Sequence, residues 1–312
     1  MSRKVVSILA LICVVVISLA VHSQNKTRQV HLLSDEVKQV QLTNAALNEK
    51  VSQLESTNAA LQRQVQDLMR NETFLDSKTD KVLPKVDRIA HAGGSLNGNT
   101  YTNSIDALNA NKDKFNLFEI DLSFTSDNKL VCIHDWRRDV LSYAIGLDKD
   151  GIISFADFAK YRSTYTKWKV CSLDDLIVWL KANPGKRIVT DVKENNMAAL
   201  TQIAQLYPDY ISRFIPQIYD LEEYDAARKL GYKDLIFSLY KWGAFDKEVV
   251  ASMKGKHLYG VATWYHRAPF LARLLGDEGI PVFAHTVNSK DIWQMLHGNY
   301  GVAEIYTDDL VN

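Results

Sequence analysis

The 312-residue chain balances 37 Lys and Arg against 37 Asp and Glu, so no global field gathers nucleic acid. Zinc-finger spacing, an RNA-recognition signature and a basic helix are all absent, and the sequence is read as having no nucleic-acid partner. The length accommodates one large domain with appendages, or two smaller domains.

Arg3 and Lys4 precede an uncharged apolar run from Val5 to Val21, at the lower limit for a membrane span. Residues 1–24 are therefore read as a transmembrane signal anchor, with a cleaved signal peptide as the alternative. Both place the remainder outside the cytoplasm, periplasmic or extracellular, either membrane-anchored or secreted.

Residues 25–70 follow a heptad. Val30, Val37, Asn44, Val51, Asn58 and Val65 fill a positions, and Leu33, Val40, Leu47, Leu54, Leu61 and Leu68 fill d. β-branched residues at a with Leu at d predict a coiled coil, with the Asn residues setting register in a homo-oligomer, dimer or trimer. At about 1.5 Å per residue the rod would be about 60 Å long. Residues 71–85 are polar, contain Pro84 and read as a linker.

The globular domain is placed at 86–312. Short apolar runs rich in β-branched and aromatic residues recur through it: RIAHA, FEIDLSF, RIVTDVKE, FIPQIY, LIFSLY, YGVATWY, PVFAHTV and EIYTDD. Amphipathic helix patterns separate most of them, among them SLDDLIVWLKANPGK with its Ser cap and Pro-Gly stop. Eight such strands alternating with helices predict a (β/α)₈ TIM barrel with parallel strands. KLVCIHD is an extra piece after the second strand. No Gly-rich dinucleotide fingerprint follows the first strand, and no GxSxG elbow or P-loop occurs. Asp148 to Asp157 imitates half of an EF-hand loop, but it reads better as a turn entering a short helix.

Cys13, Cys132 and Cys171 form no CxxC pair. Cys132 lies in an apolar alternating run, so a buried free thiol is expected and no disulfide framework.

The chemistry concentrates between Arg88 and Trp136. Glu119 and Asp121 lie two apart on a strand and so share a face. Two carboxylates on one buried face repel each other unless a cation lies between them, and oxygen ligands suit Mg²⁺ or Ca²⁺. His91 and His134 flank the pair and can act as general acid and base. Trp264 and His285 end two of the later strands and are candidates for lining a substrate pocket.

These residues resemble the glycerophosphodiester phosphodiesterase family, within the wider group that includes phosphatidylinositol-specific phospholipase C. The resemblance covers roughly residues 86–312. It rests on Glu119-Ile120-Asp121, then Thr125, Asp127, Val131 and His134-Asp135, and on AHTVN at 284–288 with GVAEIYTDDL at 301–310. It implies a (β/α)₈ barrel that cleaves phosphodiesters with a divalent metal held by Glu119, Asp121 and Asp191. His91 and His134 would be the acid–base pair, Lys193 would bind phosphate, and Asn103, in the family's Glu-Asn-Thr element (here Thr102-Asn103-Ser104), would contact phosphate or substrate.

The chain departs from the family at Ala92, where the family has Arg, and at His285, where it has Trp. Asp191 replaces a Glu, which is more like the sphingomyelinase D-type branch of lyases that release cyclic phosphates. The expected substrate is a phosphodiester, glycerophosphodiester-like or derived from a phospholipid headgroup. The alternatives are the lyase outcome and a catalytically decayed, membrane-anchored scaffold.

Overall fold

The computed structural model describes residues 83–242 and 246–310, together with Thr43, Asn44, Lys50 and Val51, which are helical. The expected anchor or signal segment, the heptad region apart from those four positions, and all but the end of the linker lie outside the described residues. Among the described residues no helix is long and apolar enough to cross a membrane.

Eight parallel strands close into a barrel. In chain order they are β1 (Ile89–Ala90), β2 (Leu117–Asp121), β5 (Arg187–Asp191), β6 (Phe214–Ile218), β7 (Ile236–Ser238), β8 (Gly260–Trp264), β9 (Val282–His285) and β10 (Glu304–Thr307). Each strand pairs with its neighbour in this order, and β10 pairs back onto β1. All eight predicted apolar runs are the eight barrel strands. One residue from each forms a buried layer: Ile89, Leu117, Val189, Ile215, Ile236, Ala262, Phe283 and Tyr306. Side chains therefore fill the barrel, and nothing is left open at this level. Residues two further along β2 and β5 share that inward face, which turns Glu119, Asp121 and Asp191 toward the barrel interior.

FEIDLSF is not one continuous strand. Barrel pairing ends at Asp121, the Leu122 amide donates to the Asp191 carbonyl at 2.8 Å, and the chain leaves the barrel. Ser123–Phe124 (β3) then pairs antiparallel with Leu130–Val131 (β4), the only strand formed by KLVCIHD.

Among the described residues from 83 onward lie nine α-helices: α1 (Ile105–Asn111), α2 (Arg138–Ile145), α3 (Phe155–Thr164), α4 (Leu173–Ala182), α5 (Asn196–Leu206), α6 (Leu221–Lys229), α7 (Asp246–Met253), α8 (Ala268–Gly276) and α9 (Lys290–Tyr300). Their starts follow from local sequence. Ser104, Ser154, Ser172, Asp220 and Ser289 each accept a hydrogen bond from the backbone amide three residues on. Ser172 and Asp175 complete a reciprocal capping box. Asp148 and Asp150 are both engaged by Arg138, and Ser154 starts α3, so the stretch that imitates an EF-hand is a turn into a helix.

The cysteine expectation is corrected. Cys132 and Cys171 form a disulfide, with their Cα atoms 5.0 Å apart and both residues fully buried. The Cys132 amide donates to the Cys171 carbonyl at 2.8 Å, and this pairing brings the two side chains together.

Candidate active site

The predicted residues gather where the strands end. His91 follows β1, Asp121 and Asp191 close β2 and β5, Trp264 and His285 close β8 and β9, and Asp308 follows β10. Register places Asp121 directly beside Asp191. Oxygens of Glu119, Asp121 and Asp191 lie within 4.8 Å of one another, and all three residues are buried. Burial, then the charges of Asp121 and Asp191, push Glu119 well above the usual carboxylate range. Burial, then Asp191, likewise raise Asp121. Glu119 Oε1 is buried without a hydrogen-bond partner. Three crowded oxygen donors with an unmet acceptor fit a hard divalent cation.

The chain holds each carboxylate by a different device. The Ala92 amide donates to Glu119 Oε2 at 2.7 Å. It is aimed by the turn His91-Ala92-Gly93-Gly94, in which Ala92 adopts φ 47°. Gly94 has φ 86°, and a Cβ there would meet Asn111 Nδ2 at 2.7 Å, so this tight turn requires glycine. Asn103, at φ 46°, uses both ends of its carboxamide on Asp121. Its Nδ2 donates to Oδ2 at 2.9 Å, and its Oδ1 accepts from the Asp121 amide at 3.0 Å. Asp191 accepts from the Tyr219 hydroxyl on one oxygen and from Lys193 on the other. Burial pulls Lys193 down, but Asp191, Asp121 and Glu119 outweigh it, and the ammonium is held above its usual range.

The two histidines are set alike. His91 Nδ1 donates to Asp308 Oδ1 at 2.9 Å, and His134 Nδ1 donates to Asp135 Oδ2 at 2.8 Å. A carboxylate can only accept, so each ring carries its proton on Nδ1 and keeps Nε2 for exchange. His91 Nε2 lies 4.0 Å from Glu119 Oε2. Asp308 and Asp135 titrate below the usual carboxylate range. In both, burial is outweighed by hydrogen bonds, from His91 to Asp308 and from Arg137 and His134 to Asp135.

His285 packs edge-on against His91, with ring centroids 4.7 Å apart. Burial, then the neighbouring His91, depress its pKa well below the usual histidine range, so this ring is neutral. Trp264 is 48% exposed and stacks obliquely on Tyr240 at 4.7 Å, so it is not core packing. A cavity of about 380 Å³ is lined by Tyr101, Asn103, Ile133, His134, Arg137 and Val140 among others. A second, of about 630 Å³, takes Lys193, Tyr219, Lys241 and Trp242 into its wall.

Neither a family model nor a curated protein matches the sequence. Solved structures do match. A glycerophosphodiester phosphodiesterase from Thermotoga maritima superposes with a TM-score of 0.56 at 20% identity, covering 72% of this chain and 95% of its own. One from Parabacteroides distasonis gives 0.53 at 17% identity, covering 71% of this chain and 92% of its own. An Oleispira antarctica phosphodiesterase, in complex with the product sn-glycerol-3-phosphate, gives 0.54 at 17%, covering 72% and 93%.

The fold is that of the glycerophosphodiester phosphodiesterases. On this glycerophosphodiester phosphodiesterase fold, sequence reasoning found the carboxylates and histidines but left four supporting groups without a role. Asp135 and Asp308 orient the histidines, Asn288 holds Asp308, and Tyr219 holds Asp191. Each lies inside a motif or apolar run already singled out, and its side-chain partner is what only the folded chain reveals.

Proposed function

We propose that the barrel is a metal-dependent phosphoric diester hydrolase. The buried convergence of Glu119, Asp121 and Asp191 beside two carboxylate-oriented histidines carries this reading. These three carboxylates would hold Mg²⁺ or Ca²⁺, which when bound supplies Lewis-acid polarisation of a phosphoryl oxygen. Lys193 offers a positive charge to a phosphate oxygen. At Nε2 one histidine accepts the proton of the attacking water, and the other donates a proton to the departing alcohol oxygen. Products are a phosphomonoester and an alcohol. Asp308 and Asp135 stabilise whichever ring becomes the imidazolium.

A glycerophosphodiester or a phospholipid headgroup is the substrate class that the fold likeness supports. The cyclic-phosphate outcome is the second reading, favoured by the short carboxylate at Asp191. ³¹P NMR of the full chain with Mg²⁺ and glycerophosphodiesters, lysophospholipids, phosphatidylinositol and sphingomyelin tests both. A new monoester resonance supports hydrolysis, and a cyclic phosphate supports the lyase. Silence across the panel with each of Mg²⁺, Ca²⁺ and Mn²⁺ refutes the enzymatic reading and leaves the scaffold.

The domain is further proposed to work outside the cytoplasm as a tethered or secreted oligomer. The apolar run after Arg3 and Lys4, the heptads and the buried disulfide all support this. Sedimentation of residues 25–312 should give an oligomer that becomes monomeric when 25–70 are removed. An unchanged mass would sink the coiled coil.

A further inference from the structure

The Cys132–Cys171 disulfide is in direct contact with the supports of two active-site groups. The segment from Lys169 to Ser172 runs between two loops. On one side Cys171 donates its amide to the Asn103 carbonyl at 3.2 Å, and Ile105 donates to the Lys169 carbonyl at 2.9 Å. Ser104 and Val170 form an isolated antiparallel bridge there. On the other side Val131 bridges Ser172, and Cys132 donates to the Cys171 carbonyl. Cys171 Sγ lies 3.3 Å from the Asn103 carbonyl oxygen.

Asn103 is the residue whose carboxamide grips Asp121 at both ends, and it does so from a left-handed backbone conformation. His134 lies two residues beyond Cys132, in a loop without regular structure. That loop leaves the two-residue hairpin β3–β4, and a hairpin of this size is marginal by itself. Its other ties nearby are all hydrogen bonds: the Val131–Ser172 bridge, the Cys132 amide to the Cys171 carbonyl, the Gly151 amide to the Trp136 carbonyl at 3.0 Å, and a Ser123 hydroxyl donating to the His134 carbonyl at 3.3 Å. A covalent link at Cys132 is therefore the firmest constraint on where His134 stands.

We propose that this disulfide is a positioning element of the active site, clamping the His134 loop and the Asn103 loop onto one segment. It acts on turnover through His134 and on cation affinity through Asn103 and Asp121. The proposal rests on the function proposed above for its turnover arm, but the cation arm stands without it.

The test uses the full chain with Cys132→Ser and Cys171→Ser together, and a second pair, Cys132→Ala with Cys171→Val, that refills the buried volume. Mn²⁺ affinity is measured by calorimetry, kcat and KM with bis(p-nitrophenyl) phosphate, and the fold by circular dichroism. Ile236→Val, in the buried layer away from the strand ends, controls for lost stability. Both cysteine pairs should bind Mn²⁺ about tenfold more weakly and lose about tenfold or more in kcat with little change in KM. Ile236→Val should match wild type in all three.

Folded cysteine variants with wild-type affinity and kcat would overturn the proposal. So would global unfolding of both pairs, which would make the bond a staple of the whole fold. If wild type binds Mn²⁺ but cleaves no phosphodiester, the function falls while the affinity difference still decides this inference.

Discussion

His91 and Asp308 meet across the seam where the barrel closes, with Nδ1 and Oδ1 2.9 Å apart. Asn288 fixes the carboxylate from behind. Its Nδ2 donates to Asp308 Oδ2 at 2.6 Å, while its Oδ1 accepts from the Asp308 amide and the Thr307 hydroxyl. Asp308→Asn would offer His91 an amide donor in place of an acceptor and favour the opposite tautomer. A fall in kcat on the order of 10³-fold is expected, with cation affinity unchanged. Steady-state kinetics beside Mn²⁺ calorimetry would check it, and a kcat within a few-fold of wild type would remove Asp308 from the mechanism.

Burial, then repulsion from neighbouring carboxylates, raise Glu119 and Asp121. For a carboxyl whose folded pKa is raised, its stabilising contribution is full below the unfolded value near 4 and is lost as pH rises through the folded value. A cation must displace these protons, so its affinity should grow over that same window. The rise in Tm produced by Mn²⁺ should therefore increase as pH climbs above about 4. An increment that is flat or shrinking with pH would mean the cation binds elsewhere.

Lys193 neutralises the carboxylate cluster from the Asp191 side. Lys193→Met removes a positive charge that competes with a bound cation, so Mn²⁺ should bind more tightly. The same change deprives phosphate of its ion pair, and kcat/KM should fall by about 10²-fold. Opposite signs in the two measurements are the signature. A parallel loss of both would identify Lys193 as a structural partner of Asp191.

Gly94 carries the turn that aims the Ala92 amide at Glu119. Gly94→Ala places a methyl against Asn111 at a positive φ and should cost about 1–3 kcal/mol in urea unfolding. Asn111 also donates to the Ser95 carbonyl, so the displaced turn should weaken cation binding too. Wild-type stability would show that the turn accommodates a side chain.

The barrel was legible because strands buried on both faces stand out as apolar, β-branched runs. Glu119 and Asp121 were legible as charges inside such a run. The supports were not. His91 and Asp308 are 217 residues apart, and no local pattern pairs them. Asn103 is expected at the substrate from its place in a family element, and its hold on Asp121 through both ends of the carboxamide is a second role that no local pattern shows. The disulfide was missed because an apolar run buries a thiol and a half-cystine equally well, and its partner lies 39 residues away. FEIDLSF broke after Asp121 because Ser123 and Phe124 pair with Val131 and Leu130 instead of with the barrel. Helices α1 and α2 were not anticipated, being only seven and eight residues long.

The most direct measurement is phosphodiester cleavage by the full chain, stripped with EDTA and then given back Mg²⁺, Ca²⁺ or Mn²⁺. Cleavage should vanish on chelation, return with at least one cation, and stay absent in Glu119→Gln however much metal is added. Undiminished cleavage in EDTA, or wild-type rates from Glu119→Gln, would contradict a metal-dependent site built on these carboxylates.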